Sequence, residues 1–326
     1  MSPAEPATTR PDVGAAVRRA LAETAADLPL PGAGDTATRW ATLTHIARDE
    51  VVVGRLVEAH VDADAILAEV LGERTGPGQW WGVWAAEPPH PRLTARHTAD
   101  GWVLDGAKAW CSGAGLATHA LVTADTDDGI HLLAVALDHP GVTTDLTTWR
   151  SAGMVGTATG TVSFDGVPAR DVGDRSAYLD RPGFWHGAIG VAACWLGGAE
   201  RVADTLRRTA SSRPLDPHAL AHLGAVEATL AAAQWSLAGA AAETDAAPHD
   251  HEGAHRRALV VRAVVEQAVT LTIDRVGRAL GAAPLCLDGA HAQAVADVQV
   301  YVRQSHAERD LAALGGLVAA SAGAGR

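Results

Sequence analysis

Apolar positions change their spacing twice along the chain. Between Arg39 and Gly72 they fall at Leu43, Ile46, Val51, Leu56 and Val57, then at Ile66, Leu67, Val70 and Leu71. This is near the helical period and predicts a helix with one apolar face. Gly72 and the following "GPG" supply the stop. A shorter helical stretch from Val13 to Leu28 comes first and runs into "PLPGAGD".

From Gln79 the helical spacing disappears. Short runs such as "GWVLDG", "HALVTA", "IHLLAVAL" and "GTVSFDGV" alternate with the turn sequences "ADG", "TDDG", "DHPG" and "FDGV". Short apolar runs between close reversals predict an antiparallel sheet or barrel. From about Pro182 the helical period returns and lasts to the end. Four helices are expected there. Asp216 and Pro217 suit the N-cap and first turn of the second. In the third, Val261, Val265, Val269, Ile273, Val276 and Leu280 share a face, and Gly281 is the stop. The fourth is read as one helix through "HAQAVADVQVYVRQSHAERDLAALG". The order is helices, a β domain, then a helical bundle.

Composition narrows the classes. The chain has 326 residues, 48% of them hydrophobic, which is enough for sizeable cores. A formal net charge of -12 argues against nucleic acid and anionic membranes as partners. No apolar run approaches the ~18 residues of a membrane span, and the first residues lack the apolar stretch of a secretion signal. Cys111, Cys194 and Cys286 are far apart and form no CxxC. The expectation is a soluble, cytoplasmic protein with reduced thiols. "PHDHEGAH" brings His251 and His255 to helical spacing, but it reads as an inter-helix loop, and no metal site is expected. There is no Gly-x-Ser-x-Gly elbow for a hydrolase and no dinucleotide-binding GxGxxG.

The stretch "WVLDGAKAWCSGAGLATHALVTA" resembles the middle domain of acyl-CoA dehydrogenases, with their Gly-x-Lys-x-Trp-x-Thr/Ser step. "GMVGTATGTVSFDGVPA" is similar to the next signature of that family, and "RWATLTHIARDEVVVGRLVEAHVDADAIL" to its N-terminal helices. The resemblance runs from about residue 38 to 316. It implies an α+β multidomain fold: a shortened N-terminal helical domain (1–78), a middle antiparallel β-barrel (79–175) and a C-terminal four-helix bundle (176–326). It also implies FAD, a homodimer or homotetramer, an acyl-thioester or other small-molecule substrate, and an electron-transfer flavoprotein as acceptor.

Site residues follow from the same resemblance. Strand alternation puts Trp110 and Ser112 on one face, Trp110 beside the flavin ring and Ser112 near its N5. Lys108 shares the alternation and is given no catalytic role. Glu87 and Pro88 remain from the loop that covers the flavin, while Ala86 replaces its threonine and the Gly-Ser-Asp is missing. Arg213 falls on the family's pyrophosphate arginine, which implies that it reaches across the dimer interface to a partner subunit's FAD. The family's glutamine position is Gly224, and only Gly281 remains of the turn before the last helix. Asp297 matches an aspartate whose arginine neighbour is Ala296.

The catalytic base departs most. The usual glutamate position falls on Ser305, followed by His306, and the second known position falls near Gly187, beside Ala188. Replacement candidates are His306, Glu308, one helical turn beyond Ser305, and His186. Three functions remain open: α,β-dehydrogenation of an acyl thioester, a flavin monooxygenase or oxidase, and a noncatalytic interaction protein. The short N-terminal region implies an open acyl pocket and a substrate other than a plain long-chain acyl-CoA.

Overall fold

The computed structural model describes residues 12–25, 28–87 and 89–324. Pro88 and the Ala26–Asp27 end of the first helical stretch lie outside these residues. Helix α1 (Val13–Ala20) is capped by Asp12, whose carboxylate accepts from the Ala15 N–H, and continues into a π-helical turn. The helix expected over 39–72 is two helices, α2 (Thr36–Asp49) and α3 (Val51–Leu71), broken at Glu50, which is extended at φ -155°. The break leaves carbonyls at the end of α2 without helical partners. The Arg201 guanidinium, arriving from a later helix, donates to the carbonyls of Arg48 and Asp49. Periodicity along one segment cannot register a partner so distant in sequence.

The strands are β1 (Trp81–Trp84), β2 (Leu93–Thr98), β3 (Gly101–Cys111), β4 (His119–Thr126), β5 (Gly129–Ala136), β6 (Val142–Asp145) and β7 (Gly160–Asp174). They pair in the order β4-β2-β3-β7-β5, and β5 returns to β4, closing a five-stranded barrel with β1 and β6 at its margins. The expected all-antiparallel pattern needs correction. Both β1 and β2 run parallel to β4, with Trp81 opposite His119 and Thr94 opposite Asp125. The β2–β3 hairpin intervenes between β1 and β4 in sequence, so this pairing is a crossover that turn signals do not reveal. Leu104, Val122, Leu133, Val162, Phe164 and Val167 fill the barrel.

Seven helices follow: α4 (Arg175–Leu179), α5 (Pro182–Ser212), α6 (Pro217–Ala246), α7 (His251–Leu280), α8 (Ala283–Leu287), α9 (Gly289–Tyr301) and α10 (Glu308–Ala324). Asp216 caps α6 as its sequence predicts, accepting from the N–H groups of His218 and Ala219. The helix expected across Ser305 is interrupted: Ser305 is extended and Ala307 is left-handed at φ 47°. Glu308 therefore begins a new helix and does not share a helical face with Ser305.

Helix α3 joins the two halves. Val51, Leu56 and Val57 enter the core formed by α2, α5, α6, α7 and α9, around Trp40, Trp195 and Tyr301. One turn and more further on, Ile66 and Leu67 pack with Trp81, Leu121 and Leu132 of the barrel. A cavity between barrel and helices thus has α3 as one wall.

Two buried histidines are expected to make this junction acid-sensitive. His60 Nδ1 accepts the Trp81 N–H at 3.2 Å, which requires a neutral ring. Burial lowers the pKa of both His60 and His186 from 6.5 to about 4. Between pH 6.5 and 4 the unfolded chain takes up protons that the folded chain refuses. Stability is therefore lost as pH falls through that window, and nothing is gained above it. The thermal midpoint is expected to drop from pH 6.5 downwards, less steeply in His60→Gln. A midpoint flat down to pH 4.5 contradicts this.

Candidate active site

The cavity measures 680 Å³ and opens between the end of β3, the 149–159 loop, α3 and the segment after α9. Trp110 and Ser112 both line it, but not by simple alternation along a strand. The β3–β7 register shifts between Lys108 and Cys111, and Trp110 has left-handed backbone at φ 59°. Ser112 lies in the turn beyond the strand. A bulge re-aims the side chains that alternation would have placed. Trp110 is left 62% exposed, an unusual state for the largest apolar side chain.

The wall around Ser112 is fixed by hydrogen bonds. Trp84 Nε1 donates to the Ser112 carbonyl at 2.9 Å, and the Ser112 and Thr159 hydroxyls lie 3.3 Å apart. Thr157 and Thr159 bridge hydroxyl to hydroxyl at 2.7 Å, and the Thr157 hydroxyl donates to the Met154 carbonyl at 2.6 Å. The buried Asp297 carboxylate on α9 accepts the Met154 N–H, tying this loop to the helical half. That is a structural use for an aspartate whose expected arginine neighbour is absent.

Among the described residues four non-glycines have left-handed backbone: Trp110, Met154, Ala158 and Ala307. Trp110 and Met154 line the cavity, Ala158 lies between lining Thr157 and Thr159, and Ala307 follows lining His306. Each such residue costs about 1–2 kcal/mol. Strain gathered around one cavity makes it the candidate functional site.

The expected base candidates separate. His306 reaches the cavity, and its Nδ1 lies 3.2 Å from Asp310, which orients the ring. The Ser305 hydroxyl turns away and donates to Glu266 on α7 at 2.6 Å. Glu308 is exposed and is not part of the lining. His186 is buried on α5 with Nε2 unpartnered and lies outside the lining.

The cofactor candidates also separate. Glu87 faces Arg175 at 3.5 Å, in a neighbouring pocket of 380 Å³ that also contains Lys108. The buried Lys108 ammonium donates to the Thr123 carbonyl and hydroxyl at 2.8 and 2.7 Å, a structural role. Arg213 is exposed at the C-terminal end of α5, and Gly281 ends α7 in left-handed backbone at φ 66°. Neither contributes to the cavity. Among the described residues no group of three or more His, Cys, Asp or Glu side chains is placed to hold a metal ion. None of their helices is long and apolar enough to cross a membrane.

Sequence reasoning missed the α3 wall. Arg55, Glu58 and Asp62 all line the cavity. Arg55 pairs with Glu58 at 2.8 Å, and burial raises the Glu58 carboxyl to about 7 despite that partner. Burial likewise raises Asp62, with Arg181, Arg39 and Arg55 opposing. The available signal was a polar stripe at helical spacing in an otherwise apolar helix, "VVVGRLVEAHVDADAIL".

Comparison with known proteins agrees with this architecture. The description "Acyl-CoA dehydrogenase, middle domain" matches residues 88–167. No curated sequence matches the chain. Methanesulfinate monooxygenase MsuC from Pseudomonas fluorescens is 18% identical, covering 87% of this chain and 82% of its own, at a TM-score of 0.70. TdsC from Paenibacillus sp. A11-2, a dibenzothiophene monooxygenase solved with FMN and indole, is 19% identical, with 93% and 94% covered, at 0.73. A nitrososynthase from Micromonospora carbonacea var. africana is 19% identical, with 94% of each chain covered, at 0.73. At these identities the likeness is one of fold. The barrel and the helices around it thus have the fold of these proteins, and residues 88–167 match the acyl-CoA dehydrogenase middle domain.

Proposed function

We propose that the protein is a flavin-dependent monooxygenase using FMN. The observation that carries this reading is a retained ring platform without either usual base. Trp110 and Ser112 line the cavity, while Ser305 hydrogen-bonds to Glu266 and position 187 has no side chain.

The residues present suit a flavin. An indole 62% exposed at a cavity wall offers a flat apolar face. The Ser112, Thr157 and Thr159 hydroxyls beside it match the polar edge of a ring system. Arg303, an exposed guanidinium at the same cavity that also pairs with Glu266 at 3.5 Å, offers positive charge to a phosphate. TdsC, of the same fold, was solved with FMN. A bound reduced flavin supplies the two electrons that activate oxygen. The chain's own work is to hold the ring against Trp110, to keep bulk water from the apolar wall of Trp84, Trp149 and Met154, and to present His306, oriented by Asp310, to the substrate.

The second reading is α,β-dehydrogenation of an acyl thioester, favoured by the middle-domain match. Two assays separate them. With reduced FMN supplied, oxygen uptake is expected to rise well above the protein-free rate. Under anaerobic conditions octanoyl thioester is expected to leave bound flavin oxidised. Efficient bleaching by that thioester, without enhanced oxygen uptake, overturns the monooxygenase reading.

A further inference from the structure

We propose that Asp62 is the proton-accepting group of the substrate site, and that the substrate offers it the nitrogen of an amine. This rests on the cavity being the active site of the proposed function, but Asp62 itself is located by packing. A Cβ built on Gly187 would lie 2.4 Å from Asp62 Oδ1. The Asp62 carboxylate therefore occupies the space that a side chain from α5 would take. Gly187 is where the resemblance sets the second base position, and Val191, one turn further along α5, lines the same cavity. A carboxylate from α3 thus reaches the space that Gly187 leaves on α5, across the interface between the two helices.

The charges around Asp62 are committed elsewhere. Arg55 pairs with Glu58 at 2.8 Å, and Arg181 pairs with Glu69 at 2.6 Å. Arg39 spends its N–H groups on the carbonyls of Pro29 and Val61, at 3.2 and 2.7 Å. Among the described residues no cation stands within 4.0 Å of Asp62. Its acceptor oxygens are thus left for a donor in the cavity, where a low dielectric strengthens such a bond. An ammonium or amine N–H satisfies them. A carboxylate would face Asp62 and Glu58 with like charge. The apolar part of the ligand has Trp84, Trp149 and Tyr178 to lie against. In the proton-transfer step an N–H bond of the ammonium breaks, the Asp62 O–H bond forms, and the bonding pair stays on nitrogen as the lone pair of the free amine. No electron moves in this step.

Calorimetric titration of the full chain with phenethylamine, phenethyl alcohol and phenylpropionate tests this. The amine is expected to bind at least tenfold more tightly than either of the others. Asp62→Asn is expected to abolish that preference and Asp62→Glu to restore part of it. Gly187→Ala, which pushes a methyl into Asp62, should weaken amine binding from the other helix. Equal binding of phenylpropionate, no binding of the amine, or an unchanged preference in a folded Asp62→Asn protein overturns the proposal. The titration needs no flavin, so failure of flavin binding with an Asp62-dependent amine preference would sink the monooxygenase reading and leave this site standing. Oxygen uptake with reduced FMN but no amine preference would do the reverse.

Discussion

Trp110→Ala is expected to weaken FMN binding by ~30-fold or more while leaving the fold intact. Stacking of a flat heteroaromatic ring on an aromatic side chain contributes about 2 kcal/mol, and each 1.4 kcal/mol is tenfold in affinity. Trp110 is exposed, so its removal opens no hole in a packed core. It also carries left-handed backbone at φ 59°, whose cost the present fold accepts without any packing return. Trp110→Gly should therefore lose flavin affinity equally and gain thermal stability, since glycine takes that backbone freely. Fluorescence quenching of FMN on titration gives the affinity, and thermal unfolding gives the stability. If both variants bind FMN as the parent does, Trp110 is no part of a flavin site.

Gly197→Ala is expected to destabilise the protein by about 2–3 kcal/mol, through overpacking at a helix crossing. Its Cβ would lie 2.2 Å from the Thr44 carbonyl oxygen and 2.8 Å from the Arg48 nitrogen, both backbone atoms of α2. The Thr44 hydroxyl also lies 3.0 Å from the Ala193 carbonyl, so α2 has little freedom to withdraw from α5. The sign is informative. Alanine for glycine inside a helix ordinarily stabilises by about 1 kcal/mol. Gly239→Ala on α6, where a Cβ meets nothing within 4 Å, should show that ordinary gain. Urea denaturation of the two variants should move the midpoint in opposite directions. A stabilised Gly197→Ala would mean that α2 does not lie this close to α5.

The sequence exposed features with a local cause. Asp216 followed by Pro217 announces a helix start, and the alternation of short apolar runs with turns announces the barrel strands. The family resemblance of the Trp110 to Ser112 step led to the cavity wall, although alternation gave the wrong geometry: the bulge at the end of β3 is set by pairing with β7. Features with distant causes stayed hidden. The carbonyls at the Glu50 break are met by Arg201, and the parallel pairing of β2 with β4 closes the barrel. The helix interruption at Ser305 coincides with its bond to Glu266 on α7. Asp62 stayed hidden for the same reason. Its partner position, Gly187, lies on another helix, and a glycine announces a close approach without saying what approaches.

The central claim is that this cavity binds a flavin and that Trp110 and Ser112 hold it. The most direct test is the visible spectrum of the full chain after mixing with excess FMN, or with FAD, and gel filtration. An absorbance band near ~450 nm is expected to travel with the protein, stronger for FMN than for FAD, and to be lost in Trp110→Ala. A folded protein that emerges colourless from both flavins would contradict it and point to a noncatalytic role for the fold.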